Sequence, residues 1–169
     1  TVTTIENSAF YYCSSLTSIT IPENVTKIGN SVFAYCSSIP TFSIHANLTS
    51  IGTTAFRYCA SLQSIEVDEN NPNYASIDGV LYNKDITTLI RCPEKKQSIT
   101  IPSTVTTIDK SAFEQCKELT TISIPENVNW EVEADLLFNN ETGALRALLQ
   151  ADDPDTEYDE SDITNADFG

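Results

Sequence analysis

Apolar residues return along this chain with a fixed step. Phe10, Phe33 and Phe56 lie 23 residues apart, as do Ile5, Ile28 and Ile51, and Cys13, Cys36 and Cys59. Leu16, Ile39 and Leu62 keep the same period, followed by Ile19, Phe42 and Ile65, then Ile21, Ile44 and Val67. The pattern reappears as Ile108, Phe113, Cys116, Leu119, Ile122 and Ile124, each 57 residues beyond its third-copy equivalent. Since 57 is one period of 23 plus a stretch of 34, the intervening copy carries 11 extra residues. Six columns agreeing over so many turns indicate a stack of repeats, each one a rung.

Within a copy, Leu16-x-x-Ile19-x-Ile21 has the alternation of a short strand, with every second side chain inward. Asn24, Asn47, Asn70 and Asn127 occupy one column after it, where the amide can bond the backbone of the following turn. Pro22, Pro102 and Pro125 end the strands because proline cannot donate to a ladder. Val25-x-x-Ile28 then brings the chain around, and the spacing predicts a short helical turn over Ser31 to Cys36 with Phe33 inward. One such rung cannot bury its own apolar side, but stacked rungs can. Stacking at about 4.8 Å per rung predicts one continuous parallel sheet. In the long copy, Val80-Leu81-Tyr82 and Thr88-Leu89-Ile90 flank Asn83-Lys84-Asp85 and predict a hairpin, with Asp78-Gly79 supplying a turn in front.

The expected fold is an α/β solenoid of 23-residue repeats, with a parallel sheet, short helical turns and one inserted β-hairpin at about 78–92. The solenoid is assigned to residues 1–128 and a C-terminal cap to 129–150. In that cap Trp130, Val132, Leu136, Leu137, Phe138, Ala144, Leu145, Leu148 and Leu149 would cover the last rung. Residues 151–169 form an acidic tail. The chain opens on Thr1 and contains no Met, and reads as a processed product or a piece of a longer protein.

The strings SAFYYCSSLTSITIPENVTKIG and NPNYASIDGVLYNKDITTLIRCP resemble the BspA-like leucine-rich repeats, over residues 1 to about 128. What the resemblance implies is a bacterial or protist cell-surface protein, often an adhesin for host matrix or plasma proteins such as fibronectin and fibrinogen. It brings no catalytic residues, and residues 130–169 match nothing in the repeat.

Charge narrows the partners. Residues 1–129 hold 12 acidic and 8 basic residues, whereas residues 130–169 hold 12 acidic residues and only Arg146, giving −15 in all. Such a surface repels polyanions, so nucleic acid is not a partner. No run of about 18 apolar residues occurs, so membrane insertion is not expected.

Candidate chemistry is sparse. Cys13, Cys36, Cys59 and Cys116 share one inward column and read as buried free thiols, since the close Cys or His pairs of a zinc site are missing. Cys92, beside Pro93, is expected to be buried too. His45 is the sole histidine, has no neighbouring nucleophile in the repeat, and is expected as an exposed loop side chain. The Asp-rich run from Asp152 to Asp162 has no EF-hand frame. No cofactor, no metal site and no catalytic residue are expected.

The surface that remains is the outward face of the strands. Ser18, Thr41, Ser64, Ser98 and Thr121 fall in one column, and Thr20, Ser43, Glu66, Thr100 and Ser123 in the next. Nine of these ten carry hydroxyls, which is common on exposed strands and also suits a flat polar concave face gripping a protein or glycan ligand. A secreted or cell-surface binding module is the expected function. The alternative is a structural subunit of an extracellular fibre or surface assembly, self-associating through the solenoid ends or the tail.

Overall fold

The computed structural model describes residues 2–109 and 111–123. Ile124, Pro125 and Asn127, the cap assigned to 129–150 and the acidic tail of 151–169 lie outside the described residues.

The described chain is a repeat solenoid of about five rungs, built on parallel ladders in the 23-residue register. β1 (Thr4–Ile5), β2 (Lys27–Ile28) and β4 (Ser50–Ile51) form one sheet, with Ile5 opposite Ile28 and Ile28 opposite Ile51. On the ligand-candidate side, β3 (Thr41–Ile44) pairs with β5 (Ser64–Val67). Further along, β9 (Ser98–Thr100) pairs with β11 (Thr121–Ser123). The expected continuous sheet is therefore broken into separate ladders. The break is made by the inserted segment.

That segment holds more than the expected hairpin. β6 (Tyr74–Ile77), β7 (Val80–Asn83) and β8 (Thr88–Arg91) form an antiparallel meander, and β8 rejoins the solenoid by pairing in parallel with β10 (Thr107–Ile108). Asp78 and Gly79 both have positive φ, 50° and 72°, the conformation of the two-residue turn that matches strand twist. The meander's turn meets β5 edge-on, where the Ile65 N–H donates to the Gly79 carbonyl at 2.9 Å.

The short helical turns predicted around Ser31 to Cys36 are not helices; among the described residues there is none. The reason is visible in the backbone. Tyr12, Tyr35, Tyr58 and Gln115 sit at φ 60–64°, in the left-handed region, which a right-handed helix cannot accommodate. The amide hydrogens run between rungs instead of up a helix: Phe33 N–H donates to Ala55 and Tyr35 N–H to Arg57, each at 2.9 Å. Within the arc only tight turns remain, such as Cys36 N–H to Phe33 O at 3.0 Å.

Two apolar cores result. The first holds Phe33, Ile39, Phe42, Leu48, Phe56, Leu62 and Ile65; the second holds Leu89, Ile99, Val105, Phe113, Leu119 and Ile122. β7 separates them. Leu81 packs into the first core while Val80 and Tyr82 pack into the second, as the two faces of one strand require.

The 11 surplus residues are the balance of two changes. Tyr74 stands one period after Ile51, yet the residue paired with Ile108 is Leu89, an excursion of 15 residues. From Leu89 to Ile99 is then only 10 residues, where Ile108 to its equivalent Ile122 takes 14. The fourth rung thus loses 4 residues of its arc. Consistent with that gap, Arg57 of the third rung reaches Glu114 of the fifth directly, Nε to Oε1 at 2.6 Å.

Candidate ligand-binding face

Each strand of the repeat puts its apolar residues inward and leaves the alternate hydroxyls outside. In β3 the burial alternates: Thr41 and Ser43 are exposed, Phe42 and Ile44 buried. Across the ladder Thr41 stands opposite Ser64 and Ser43 opposite Glu66; further on, Thr121 stands opposite Ser98 and Ser123 opposite Thr100. Ser18, Thr20, Thr41, Ser43, Glu66, Ser98, Thr100, Thr121 and Ser123 are all exposed.

Ser64 differs. It is half-buried, because the Asp78–Gly79 turn packs on it: a Cβ on Gly79 would lie 3.0 Å from Ser64 Cα. Its hydroxyl donates to the Glu66 carboxylate. The ten residues are thus divided into one group on rungs one to three and another on rungs four and five, with the meander between them. Periodicity alone could not show this, since the columns run straight through the insertion.

The thiol column lies inside. Cys36, Cys59, Cys92 and Cys116 are buried and free, and Cys13 is partly exposed at the first rung. The Cys36 thiol donates to Phe10 O and that of Cys59 to Phe33 O, both at 3.2 Å. Burial pushes the Cys36 thiol up, and burial followed by the Glu94 charge pushes Cys59 up to about 12. Thiols so protonated are poor nucleophiles.

Two polar expectations are corrected. His45 is not an exposed loop residue: its side chain is 11% exposed, and its Nδ1 accepts the Asn47 N–H at 3.2 Å. This acceptor role folds the ring back onto its own turn. In the third rung, the partner-bonding amide is that of Asn71, not Asn70. Asn71 is fully buried and donates to His45 O and Leu48 O while accepting from Asn73 and Tyr74 N–H. Asn70 bonds only locally, its N–H to Asp68 Oδ1 at 2.8 Å. Asn24 and Asn47 do reach back a rung, to Val2 O and Glu23 O, but from exposed positions.

Sequence reasoning missed a buried ion pair. Arg91 and Glu94 meet at 2.9 Å with side chains 7% and 5% exposed. The shortened fourth arc explains them. In earlier rungs, the Phe carbonyl accepts the next rung's thiol; for Phe56 the partner is the Arg91 guanidinium, at 3.5 Å. Glu94 accepts the Cys59 N–H at 3.0 Å, and Arg91 Nη1 donates to Ser111 O at 2.8 Å. Charged side chains thus satisfy backbone groups that the missing residues would have met.

On the arcs stands a second periodic feature. Tyr12, Tyr35 and Tyr58 form a ladder with ring centroids 5.3 and 4.4 Å apart, and Arg57 lies 4.8 Å over Tyr58. These tyrosines share the 23-residue spacing of the inward columns.

Residues 1–95 and 90–142 match the BspA type leucine-rich repeat region, in six copies. No curated protein matches the chain. Among solved structures, the pneumococcal vaccine antigen PcpA is similar at 27% identity and a TM-score of 0.67, over 74% of this chain and 32% of that one. A leucine-rich cell surface protein from Faecalibacterium prausnitzii is similar at 29% identity and 0.59, over 72% and 39%. A leucine-rich repeat protein from Eubacterium ventriosum is similar at 26% and 0.51, over 75% and 46%. The chain spans less than half the length of each of these three.

Proposed function

We propose, since the chain belongs to the BspA type leucine-rich repeat family, that it works as a binding module at the cell surface or outside the cell, adhesin-like and without catalysis. One relative in structure is itself described as a cell surface protein, and that supports the location. The observation carrying the reading is the in-register array of exposed hydroxyls on β3, β9 and β11, with the exposed Glu66 carboxylate standing opposite Ser43 on β5. A row of short hydroxyls on rigid strands loses little side-chain entropy on binding and offers both donors and acceptors. A protein or glycan of the host matrix or plasma is the proposed ligand.

The test is binding of the chain to immobilised plasma and matrix proteins, fibronectin and fibrinogen included. Doubly substituted Thr41→Arg, Ser43→Arg should lose the binding shown by the parent. The charge-matched hairpin change Asp85→Arg should keep it. Equal binding by all three would remove the face from consideration.

A further inference from the structure

Where the fourth arc is short, the solenoid does not close. The volume vacated by the missing residues is a cleft of about 220 Å³ between the third and fifth rungs. Its bed is largely apolar, made by Phe56, Leu81 and Ile90 with the buried Arg91 beside them, and its polar margin includes Arg57, Tyr74 and Asp109. Nothing in the hydroxyl face shares these residues.

Three observations fix the kind of guest. The first is a ring series. Phe10, Phe33 and Phe56 stack along the solenoid with centroids 5.5 and 6.2 Å apart and planes within 14°. The shortened arc supplies no fourth phenylalanine, since Arg91-Cys92-Pro93-Glu94 stands in its place, and Phe56 borders the cleft. The second is size. An apolar cavity of about 150 Å³ already holds benzene, so this cleft takes one substituted ring. The third is charge. Each arginine at the cleft has a carboxylate partner, Arg57 in Glu114 and Arg91 in Glu94, and the buried Arg91 Nε has no hydrogen-bond partner among the described residues. A neutral guest with an acceptor oxygen therefore suits the cleft, while a cationic one would face two guanidinium groups.

We propose that this cleft is an anchor pocket for a single aromatic side chain of a partner polypeptide, the guest ring continuing the Phe10–Phe33–Phe56 series. An apolar bed with a polar margin is the form taken by the central anchor pockets of protein interfaces. The margin gives a ring hydroxyl or a flanking peptide group its hydrogen bonds. β4, with Ser50 and Ile51, is the edge of its sheet and borders the same opening through Ile51, but the Ile51 N–H already donates to the Tyr74 hydroxyl at 3.0 Å, so the guest is held by its side chain and not by strand pairing.

The experiment uses the whole chain, isotope-labelled, and two soluble probes: N-acetyl-tyrosinamide and methyl α-glucopyranoside. Saturable amide shifts on adding the tyrosine amide are expected at Ile51, Gly52, Ile90, Arg91 and Asp109, with none from the sugar. Thr53 is exposed at the cleft, and Thr53→Trp should abolish the shifts by placing a ring over the opening. Ser18→Ala, on the hydroxyl face, should leave them intact. Absence of saturable shifts in the parent, shifts centred on Tyr11 and Tyr12 instead, or binding of the sugar alone would each overturn the proposal. These readouts are independent of the matrix-protein assay, so the anchor pocket and the hydroxyl face can fail separately.

Discussion

Phe33 is fully buried and touches its own ring column on both sides as well as Phe42, at 4.7 Å between centroids. Phe33→Ala should therefore cost about 3–5 kcal/mol, because neighbouring rungs cannot collapse into the space. Ser18→Ala, on the exposed face, should stay within about 0.5 kcal/mol. Chemical denaturation of both variants beside the parent checks the register, and equal midpoints would sink it. Glu94 allows a sharper test. Burial pushes its carboxyl from 4.5 up to about 7, against the opposing pull of Arg91. A carboxyl raised in the folded state favours the protonated form. Its stabilising contribution is thus full below about 4.5 and lost as pH rises through about 7. Glu94→Gln keeps an acceptor for Cys59 N–H but does not titrate, so the stability difference between parent and variant should shift in the variant's favour across that window. A pH-independent difference would contradict this. Residue identity in the inward columns was legible because burial repeats every rung. Arg91 and Glu94 were not, since they answer a local deficit of backbone partners. Nor was the left-handed φ shared by Tyr12, Tyr35 and Tyr58, which no propensity of tyrosine would suggest.

Among the elements, the β6–β7 turn has the least tolerance. Gly79 holds φ 72° and lies against the Ser64 backbone, so Gly79→Ala meets both conformational strain and a collision. A cost of about 1–3 kcal/mol is expected from the backbone alone. Asp78→Asn, at φ 50°, should be nearly neutral because asparagine tolerates that region. Thermal melts of the two variants compare them directly; equal behaviour would mean the turn relaxes. The turn itself could be read from the Asp-Gly pair, and the β7–β8 hairpin from the two apolar runs that flank Asn83-Lys84-Asp85. β6 was missed because Tyr74-Ala75-Ser76-Ile77 carries no clear apolar period. The helical turns are absent among the described residues. Their polar-apolar spacing is compatible with one turn of helix, but hydrogen bonds to the next rung outcompete those within so short an arc.

For the molecule as a whole, a solenoid's stability resides in contacts between adjacent rungs, and the insertion interrupts that chain of contacts once. What restores it is β7 and β8, with Leu81 and Ile90 against one core and Val80, Tyr82 and Leu89 in the other, helped by the Arg57–Glu114 pair across the gap and by the bonds of Arg91 and Glu94 to Phe56 O, Ser111 O and Cys59 N–H. The period showed that the stack continues past the insertion, but not that the inserted strands couple its halves, because coupling depends on which face each residue of β7 and β8 presents. The coupling can be measured by hydrogen exchange. In the parent, slow amides of Phe42 and Ile65 in the first core and of Ile99 and Ile122 in the second should open with one free energy. Leu81→Ala removes a fully buried side chain from the first core alone and should lower the opening free energy there by about 2–5 kcal/mol. If β7 transmits the loss, the second core follows within a fraction of that amount. If the second core stays at its parental value, each core is an independent cooperative unit, and the insertion divides the solenoid energetically as it divides the sheet.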